Sequence, residues 1–327
     1  MTPPDRDGST VDEVPAVLVY EAIVASGQAD DPLMAAGRSM LETTIAAFGR
    51  RPVVTVVASD AVGRELQATF PNLATHDCFR DAVAACSASA TDTAAILIAP
   101  DVDLPDLIEA VDSEGIERVR NLSTAATRLC SDKVALSRWL ADRGIPCVAH
   151  EPFVFDGPPV RDRPVWVKPR FGCGCIETSR LPSLSHWTPS ASEGRSPVEM
   201  CFAEEIPHRE SVSTLVVPRG DGQIEVWPLC EQSITIEADG TAAFAGVRFL
   251  GERCPKVGAI ARRLADGWKA AGPFGIDLLR TDDGPVVVEV NPRLTESLAV
   301  YAKAADRPLG GKLLGTNCDP ILWSGPD

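Results

Sequence analysis

The chain has 327 residues, of which 45% are hydrophobic and 24% are charged, proportions ordinary for a globular protein with more than one domain. It has no apolar run of the roughly 20 residues that a transmembrane helix needs, and its acidic start, residues 1–13, lacks the basic end and apolar core of a signal peptide. The net charge of −15 argues against non-specific binding to nucleic acid or an anionic membrane, because both require a basic surface.

The first 118 residues alternate short apolar runs with helical patterns. The apolar runs predict buried strands at residues 14–20, 52–58 and 94–99. The helical patterns lie at residues 31–48, 77–89 and 104–113. Since strands that alternate with helices are typical of a parallel sheet covered on both faces, we expect an N-terminal α/β domain over residues 1–118.

The next stretch predicts a helix followed by a hairpin. One long helix is expected over residues 124–143, and a strand over 164–169. The strand continues into Arg170-Phe171-Gly172-Cys173-Gly174-Cys175, and a second strand is expected from Ile176, which gives a hairpin with a glycine-bearing tip. Residues 181–197 are rich in Ser, Pro and Gly, so we expect an irregular surface loop there.

From residue 198 onward the chain becomes rich in predicted strands. These strands are expected at residues 198–204, 211–218, 224–228, 233–237 and 242–246. A helix near residues 255–271 separates them from two further apolar strands around Asp277 and Glu289. Successive strands joined by short loops favour an antiparallel sheet.

Oxygen-bearing side chains interrupt these last two strands. Asp277 breaks the apolar run Gly275-Ile276-Asp277-Leu278-Leu279, and Glu289 and Asn291 share one face of the following strand, because residues two apart point the same way. Hard oxygen donors on neighbouring strands, followed by the guanidinium of Arg293, suit Mg²⁺ and a nucleotide phosphate. The alternative is an acidic strand pair at the surface.

One lysine and two glycines would complete such a site. Lys168 lies in an otherwise apolar strand, and a buried lysine needs a phosphate or carboxylate partner. Gly172 and Gly174 would let backbone amides approach phosphates closely. The alternatives are a strand-end lysine that reaches solvent and an ordinary hairpin tip.

The order of these motifs resembles the ATP-grasp superfamily. The motifs are Asp132-Lys133, Trp166-Val167-Lys168-Pro169, Ala203-Glu204-Glu205-Ile206, Asp277 and Glu289-Val290-Asn291-Pro292-Arg293. The resemblance covers about residues 119–300 and implies that two α+β subdomains clamp ATP between them. We therefore expect a pre-ATP-grasp domain at 1–118, a small subdomain at 119–200 and a C-terminal metal and ATP subdomain with an antiparallel sheet at 201–327.

The same resemblance implies a role for each site residue. Asp277, Glu289 and Asn291 would bind two Mg²⁺ ions, with Mn²⁺ as an alternative. Arg293 and Lys168 would act in catalysis. The nucleotide would contact Lys133, Lys168, Gly172, Gly174, Glu204, Glu205, Ile206 and Glu210. Which glutamate meets the ribose stays open. Two alternatives also stay open: Glu204 and Glu205 are solvated carboxylates, and Lys133 is a solvated helix lysine.

A closer resemblance concerns the N-terminal domain. Tyr20-Glu21, Gly37-Arg38-Ser39-Met40 and Ala99-Pro100-Asp101 resemble ligases that join tyramine to glutamate in methanofuran-type cofactor synthesis. This resemblance implies an ATP-dependent carboxylate–amine ligase that forms an amide through an acyl-phosphate. The alternatives are another amino-acid or peptide ligase, similar to D-Ala-D-Ala ligase, and an inactive ATP-binding regulatory module. For Arg38, both a substrate-carboxylate partner and a helix-surface residue are open.

The expected location and partners follow from the same observations. There are ten cysteines but no CxxC motif, so we expect reduced thiols in a cytoplasmic protein. The expected partners are a small-molecule carboxylate and an amine, with neither nucleic acid nor a membrane. A homodimer is left open.

Overall fold

The structure, a computed structural model, describes residues 16–28, 30–87, 93–116, 118–153, 163–186, 200–316 and 319–325. The acidic start, residues 1–13, lies outside this range. So does the greater part of the predicted loop at 181–197, whose described portion ends in a 3₁₀ turn at Leu184–His186. No helix among the described residues is both long and apolar enough to cross a bilayer.

A five-stranded parallel sheet with the order β3-β2-β1-β4-β5 forms the N-terminal part. A parallel sheet was predicted, but its strands β3 and β5 were not. Its strands are β1 (Val17–Glu21), β2 (Val53–Val56), β3 (Leu73–His76), β4 (Ala94–Ile98) and β5 (Arg118–Val119). The helices are α1 (Ala22–Ser26), α2 (Met34–Ala47), α3 (Asp60–Thr69), α4 (Phe79–Ser87) and α5 (Leu104–Ser113). Val17 and Val19 face one core and Leu18 the other, so apolar side chains alternate between two covered faces.

The predicted long helix over 124–143 is wrong, because the chain breaks at Asp132. The two pieces are α6 (Thr124–Ser131) and α7 (Lys133–Asp142), and Asp132 between them has an extended backbone with ψ 99°. Its carboxylate accepts the backbone N–H groups of Val134 and Ala135, each at 3.0 Å. A side chain that caps the second helix in this way competes with continuation of the first.

A four-stranded antiparallel sheet with the order β6-β9-β7-β8 follows. Its strands are β6 (Glu151–Phe153), β7 (Val165–Pro169), β8 (Ser179–Leu181) and β9 (Met200–Glu204). The predicted hairpin is formed by β7 and β8, but β8 begins three residues after Ile176. Cys175 and Glu177 have left-handed φ angles of 59° and 53°, which a strand cannot include.

A six-stranded antiparallel sheet completes the molecule, with the order β13-β12-β10-β14-β15 and β11 on β10. Its strands are β10 (Glu210–Pro218), β11 (Ile224–Val226), β12 (Cys230–Ile236), β13 (Ala242–Phe249), β14 (Phe274–Arg280) and β15 (Pro285–Asn291). The accompanying helices are α8 (Pro255–Trp268), α9 (Ser297–Ala304) and α10 (Gly310–Leu313). A parallel α/β sheet followed by antiparallel sheets is the predicted fold class.

The two antiparallel sheets touch through the tip of the β12–β13 hairpin. The backbone N–H of Arg180 donates to the carbonyl of Gly240, and that of Ala242 donates to the carbonyl of Thr178, each at 2.8 Å. These bonds hold the end of β8 against the six-stranded sheet, so the space between the sheets is closed on this side.

Candidate active site

All three sheets contribute to one cleft of about 1070 Å³. The parallel sheet supplies the carboxyl ends of β1 and β4, and the four-stranded sheet supplies β7 with the loop that follows it. Strands β14 and β15 form part of the opposite wall. The residues that the sequence predicted for the site all line this cleft: Lys133, Lys168, Gly172, Gly174, Glu204, Glu205, Ile206, Glu210, Asp277, Glu289, Asn291 and Arg293.

The predicted metal ligands meet on β14 and β15. These strands pair antiparallel with Asp277 opposite Glu289 and Gly275 opposite Asn291, so the three side chains lie on one face. The Asp277 carboxylate accepts one hydrogen bond from the Asn291 amide and one from Gln232 on β12, each at 2.9 Å. Gln232 had no predicted role, because nothing in the sequence pairs β12 with the motif.

Burial and mutual repulsion shape the electrostatics of this pair. Burial, followed by the neighbouring charge of Glu289, raises the pKa of Asp277 to about 7. Burial would also raise the pKa of Glu289, but Lys133 and Lys168 outweigh it and hold that pKa below its ordinary value. Two carboxyl groups close enough to share a proton, beside an amide oxygen, fit the hard-oxygen preference of Mg²⁺.

Both predicted lysines lie across the cleft from these carboxylates. The Lys133 ammonium donates to the carbonyl of Gly172 at 2.6 Å and lies 3.8 Å from the Glu289 carboxylate. Burial lowers the pKa of Lys168, and the charge of Glu289 is the largest opposing influence. The strand-end lysine that reaches solvent and the solvated helix lysine are therefore not what the structure contains.

The glycine-bearing loop is fixed at both sides. Arg170, at its start, donates two hydrogen bonds to the Asp132 carboxylate, at 2.8 and 2.6 Å. Gly174 has a left-handed φ of 69°, and a Cβ there would lie 2.9 Å from a methyl group of Leu33 in the N-terminal part. The break at Asp132 thus places Lys133 and anchors the loop above it.

Arg293 is buried and makes its main contact with the N-terminal part. Its Nε donates to Asp101 at 3.0 Å, and its Nη1 donates to the carbonyl of Leu294 at 3.3 Å. Asp101 follows the end of β4, 192 residues earlier in the chain. The ion pair therefore joins the carboxyl edge of the parallel sheet to the end of the predicted metal motif, a contact that no local pattern in the sequence predicts.

The three predicted glutamates near the end of β9 differ in their partners. Glu205 is held by Arg180 through two hydrogen bonds at 2.9 and 2.7 Å, and Glu210 accepts one from Arg280 at 2.9 Å. Glu204 lies 3.7 Å from Arg163. Both oxygens of Glu205 are thus occupied by one guanidinium.

The N-terminal wall of the cleft contains a buried carboxylate without a predicted role. Glu21 at the end of β1 is 2% exposed, and its carboxylate accepts the backbone N–H of Val24 at 2.7 Å. Burial raises its pKa. Gly37 makes room for it, since a Cβ at that position would lie 2.6 Å from a Glu21 oxygen. Arg38 instead pairs with Glu42 and Glu65 on the helix surface, as the second alternative predicted.

Comparison with known families identifies the class of protein that has this fold. A model described as an ATP-grasp domain matches residues 130–297, just over half of the chain. The chain therefore belongs to the ATP-grasp family. No curated protein sequence matches it.

Several solved structures share the fold. A protein from Archaeoglobus fulgidus assigned to the ATP-grasp superfamily has a TM-score of 0.65 and 19% identity, over 94% of this chain and 90% of that chain. The ADP complex of PurK, an N5-carboxyaminoimidazole ribonucleotide synthetase, has a TM-score of 0.64 and 11% identity, over 96% and 79%. The Aspergillus clavatus N5-carboxyaminoimidazole synthase with ADP and 5-aminoimidazole ribonucleotide gives 0.63 and 16%, over 94% and 78%. At these sequence identities, the similarity shows a shared fold alone.

Proposed function

We propose that the chain is an ATP-dependent ligase that joins a carboxylate to an amine and releases ADP and phosphate. The observation that carries the proposal is the meeting of Asp277, Glu289 and Asn291 across one cleft from Lys133 and Lys168. Oxygen ligands can bind the metal ion, and ammonium groups can bind the phosphate oxygens. Together they suit a metal-bound triphosphate. Membership of the ATP-grasp family supports the same conclusion.

The proposed chemistry proceeds through an acyl-phosphate. A carboxylate oxygen of the acid attacks the γ-phosphorus of ATP, the bond between that phosphorus and the β,γ-bridging oxygen breaks, and ADP leaves. The amine nitrogen then attacks the acyl carbon, the C–O bond to phosphate breaks, and the amine loses a proton as the amide forms. The protein contributes by positioning and by charge, so no covalent nucleophile is required.

Each charged residue has a defined task in this scheme. Asp277, Glu289 and Asn291 would hold one or two Mg²⁺ ions, which when bound neutralise phosphate charge. Lys133 and Lys168 bind phosphate oxygens beneath the glycine-bearing loop. Arg293, oriented by Asp101, faces the cleft where the acid meets the transferred group.

For the substrates, we propose glutamate, activated at its side-chain carboxylate, and an aromatic amine such as tyramine. Support comes from the N-terminal wall, where the buried carboxylate of Glu21 lines the cleft together with the apolar side chains of Leu33 and Met40. A carboxylate suits an ammonium group, and apolar side chains suit an aromatic ring. A methanofuran-type pathway would use such a product. Another amino-acid or peptide ligase is the main competitor.

The test is ADP release by the full chain with ATP, Mg²⁺, glutamate and tyramine, followed by mass analysis of the product. The proposal predicts ADP release that requires both substrates, and an amide whose mass equals their sum minus water. ADP release with a different acid and amine would keep the ligase and replace the substrates. ATP binding without release across a broad panel would favour the inactive regulatory module.

The acyl-phosphate is tested separately with glutamate labelled with ¹⁸O in its side-chain carboxylate. If that oxygen attacks the γ-phosphorus, one ¹⁸O atom appears in the released phosphate. Amide formation with unlabelled phosphate would contradict the intermediate while leaving the ligase activity intact.

A further inference from the structure

Three large apolar side chains are only partly covered, and they lie on one face of the β12–β13 hairpin inside the cleft. Ile234 is 40% exposed and Ile236 is 47% exposed, and both line the cleft together with Phe244. The register pairs Ile234 with Phe244 and Ile236 with Ala242, and residues directly opposite each other share a face of the sheet. A single exposed apolar residue needs no explanation, but a group of them on one wall of a cleft points to a ligand.

This apolar face continues directly from the proposed metal site. Gln232, two residues before Ile234 on β12, lies on the same face and donates to the Asp277 carboxylate at 2.9 Å. Since a strand rises about 3.4 Å per residue, Ile234 lies roughly 7 Å and Ile236 roughly 14 Å beyond Gln232. A substrate that reacts beside Asp277 and extends along β12 would therefore contact these two isoleucines.

The glycine-bearing loop borders the same region and is held at two points. A Cβ at Gly174 would lie 2.9 Å from a methyl group of Leu33, and the carbonyl of Thr178 accepts the backbone N–H of Ala242 at 2.8 Å. Ile176, midway between Gly174 and Thr178 in the sequence, is 40% exposed and lines the cleft. The loop thus joins the N-terminal wall to the β12–β13 hairpin and adds another apolar side chain to the cleft.

The two strand segments that form this face carry no charge. Residues 232–236 and 242–247 contain no Asp, Glu, Lys, Arg or His. Glutamate has an ammonium group and a second carboxylate besides the one that reacts, and burying either group against apolar side chains without a partner is costly. An aromatic or alkyl group on the amine is instead stabilised by such burial.

We propose that the apolar face formed by Ile234, Ile236 and Phe244, with Ile176 beside it, binds the apolar group of the amine substrate. The face selects amines in which an uncharged aromatic or alkyl group follows the reacting nitrogen. This inference rests on the proposed ligase function, and it assigns the chemical class of the amine and the surface that recognises it.

The test compares three amines in the ADP-release assay with the full chain, ATP, Mg²⁺ and glutamate. Phenethylamine carries a ring, ethylamine has the same two carbons without it, and 1,4-diaminobutane has a second ammonium group in the same region. The value of kcat/KM should be about 100-fold higher for phenethylamine than for ethylamine. For 1,4-diaminobutane it should be no higher than for ethylamine. Equal values for phenethylamine and ethylamine, or a preference for 1,4-diaminobutane, would overturn the proposal.

Variants then connect the preference to these side chains. Ile234→Thr and Ile236→Thr keep a β-branched residue in the strand and replace an ethyl group with a hydroxyl. Each should lower the ratio of kcat/KM for phenethylamine to that for ethylamine about 10-fold. Both values come from one preparation, so any inactive fraction cancels in the ratio. Thr235→Val, on the other face of β12 and not part of the cleft lining, is the matched control and should keep the wild-type ratio.

The outcomes separate this proposal from the function on which it rests. If none of the three amines supports ADP release with glutamate, the proposed substrates fail and the role of the apolar face fails with them. If the wild type releases ADP equally well with ethylamine and phenethylamine, the ligase stands and the role of the apolar face is wrong. If both isoleucine variants keep the wild-type ratio and change kcat/KM for glutamate instead, the face binds the acid and the proposal is also wrong.

Discussion

The two ends of the cleft balance their charges in different ways. At one end, where we propose that the nucleotide binds, carboxylates and ammonium groups face one another, with Lys133 3.8 Å from Glu289. We call this the nucleotide end. At the N-terminal end, Glu21 has no cation this close among the described residues, and a backbone N–H of Val24 holds its carboxylate instead. The first arrangement suits a ligand with large charges of its own. The second fixes one carboxylate by backbone shape, which suits a selective contact with a smaller ligand.

Glu289→Gln tests the nucleotide end most directly, because it keeps the size of the side chain and removes its charge. We expect ADP release to fall ~10³-fold or more, because a metal-binding carboxylate contributes several kcal/mol to phosphoryl transfer. Steady-state ADP release measures the effect. Asp283→Asn, in the exposed turn between β14 and β15, is the control and should retain full activity. Near-normal activity of Glu289→Gln would refute the metal assignment.

A second substitution at the same end, Lys168→Met, tests nucleotide binding rather than chemistry. Removing a charge-assisted contact to phosphate should weaken ATP binding about 10- to 100-fold, since such contacts contribute about 1.5–3 kcal/mol. Isothermal titration with ATP gives the dissociation constant. Lys303→Met, on the exposed side of α9, should leave it unchanged. An unaltered constant for Lys168→Met would remove this lysine from the nucleotide site.

At the other end, Glu21→Gln should spare ATP and affect the second substrates. The amide oxygen still accepts the N–H of Val24, so the fold around α1 is kept while the charge is lost. We expect kcat/KM for the amine to fall about 10-fold, with the dissociation constant of ATP unchanged. Glu114→Gln, exposed after α5, is the matched control. If ATP affinity changes and kcat/KM for the amine does not, Glu21 acts on the nucleotide and the expected role in binding the amine is wrong.

The same variant has a pH signature. Burial raises the pKa of Glu21 above its ordinary value of 4.5, so the folded state holds this proton more tightly than the unfolded state. Stability is therefore lost as the pH rises from the unfolded pKa through the folded one. Relative to Glu21→Gln, the wild type should become less stable over that window in denaturant titrations. The opposite sign would contradict the burial of this carboxylate.

The nucleotide end was largely predictable because its chemistry is local. Asp277, Glu289, Asn291 and Arg293 fall within 17 residues of sequence, and strand periodicity alone puts Glu289 and Asn291 on one face. The class of fold was predicted for a similar reason, since alternation of strands and helices is visible along the chain. The roles of these residues, the domain boundaries at 118 and 200, the cytoplasmic location and a homodimer stay predictions.

The remaining features depend on contacts between distant parts of the chain. Asp101 and Arg293 are 192 residues apart, and nothing near either residue indicates the other. The helix break at Asp132 was missed because the Asp132 carboxylate that caps α7 is held in place by Arg170, 38 residues further along the chain. Glu21 entered the sequence analysis only as part of the closer resemblance, without a role of its own. Only the topology, which brings the carboxyl ends of β1 and β4 to the cleft, makes it part of the site.

Gly37→Ala has the smallest expected effect. It tests whether packing against α2 fixes the Glu21 carboxylate at the N-terminal end of the cleft. In the first turn of α2, alanine should gain up to about 0.5–1 kcal/mol over glycine through helix propensity. However, the new Cβ would lie 2.6 Å from an oxygen and 2.8 Å from the carboxyl carbon of Glu21. That carboxylate is held at 2.7 Å by Val24, so it cannot move away freely. We expect the clash to outweigh the gain and to destabilise the protein by about 1–2 kcal/mol in urea unfolding.

A double mutant decides whether Glu21 is the cause. With Glu21→Ala the obstructing carboxylate is absent, so Gly37→Ala in that background should show only the helix-propensity gain and become stabilising. Ser39→Ala, at an exposed position of the same helix, controls for propensity and should be stabilising in both backgrounds. If Gly37→Ala destabilises equally with and without Glu21, the shape of α2 rather than the carboxylate requires the glycine. The N-terminal end of the cleft would then not owe its selectivity to a carboxylate fixed by backbone packing.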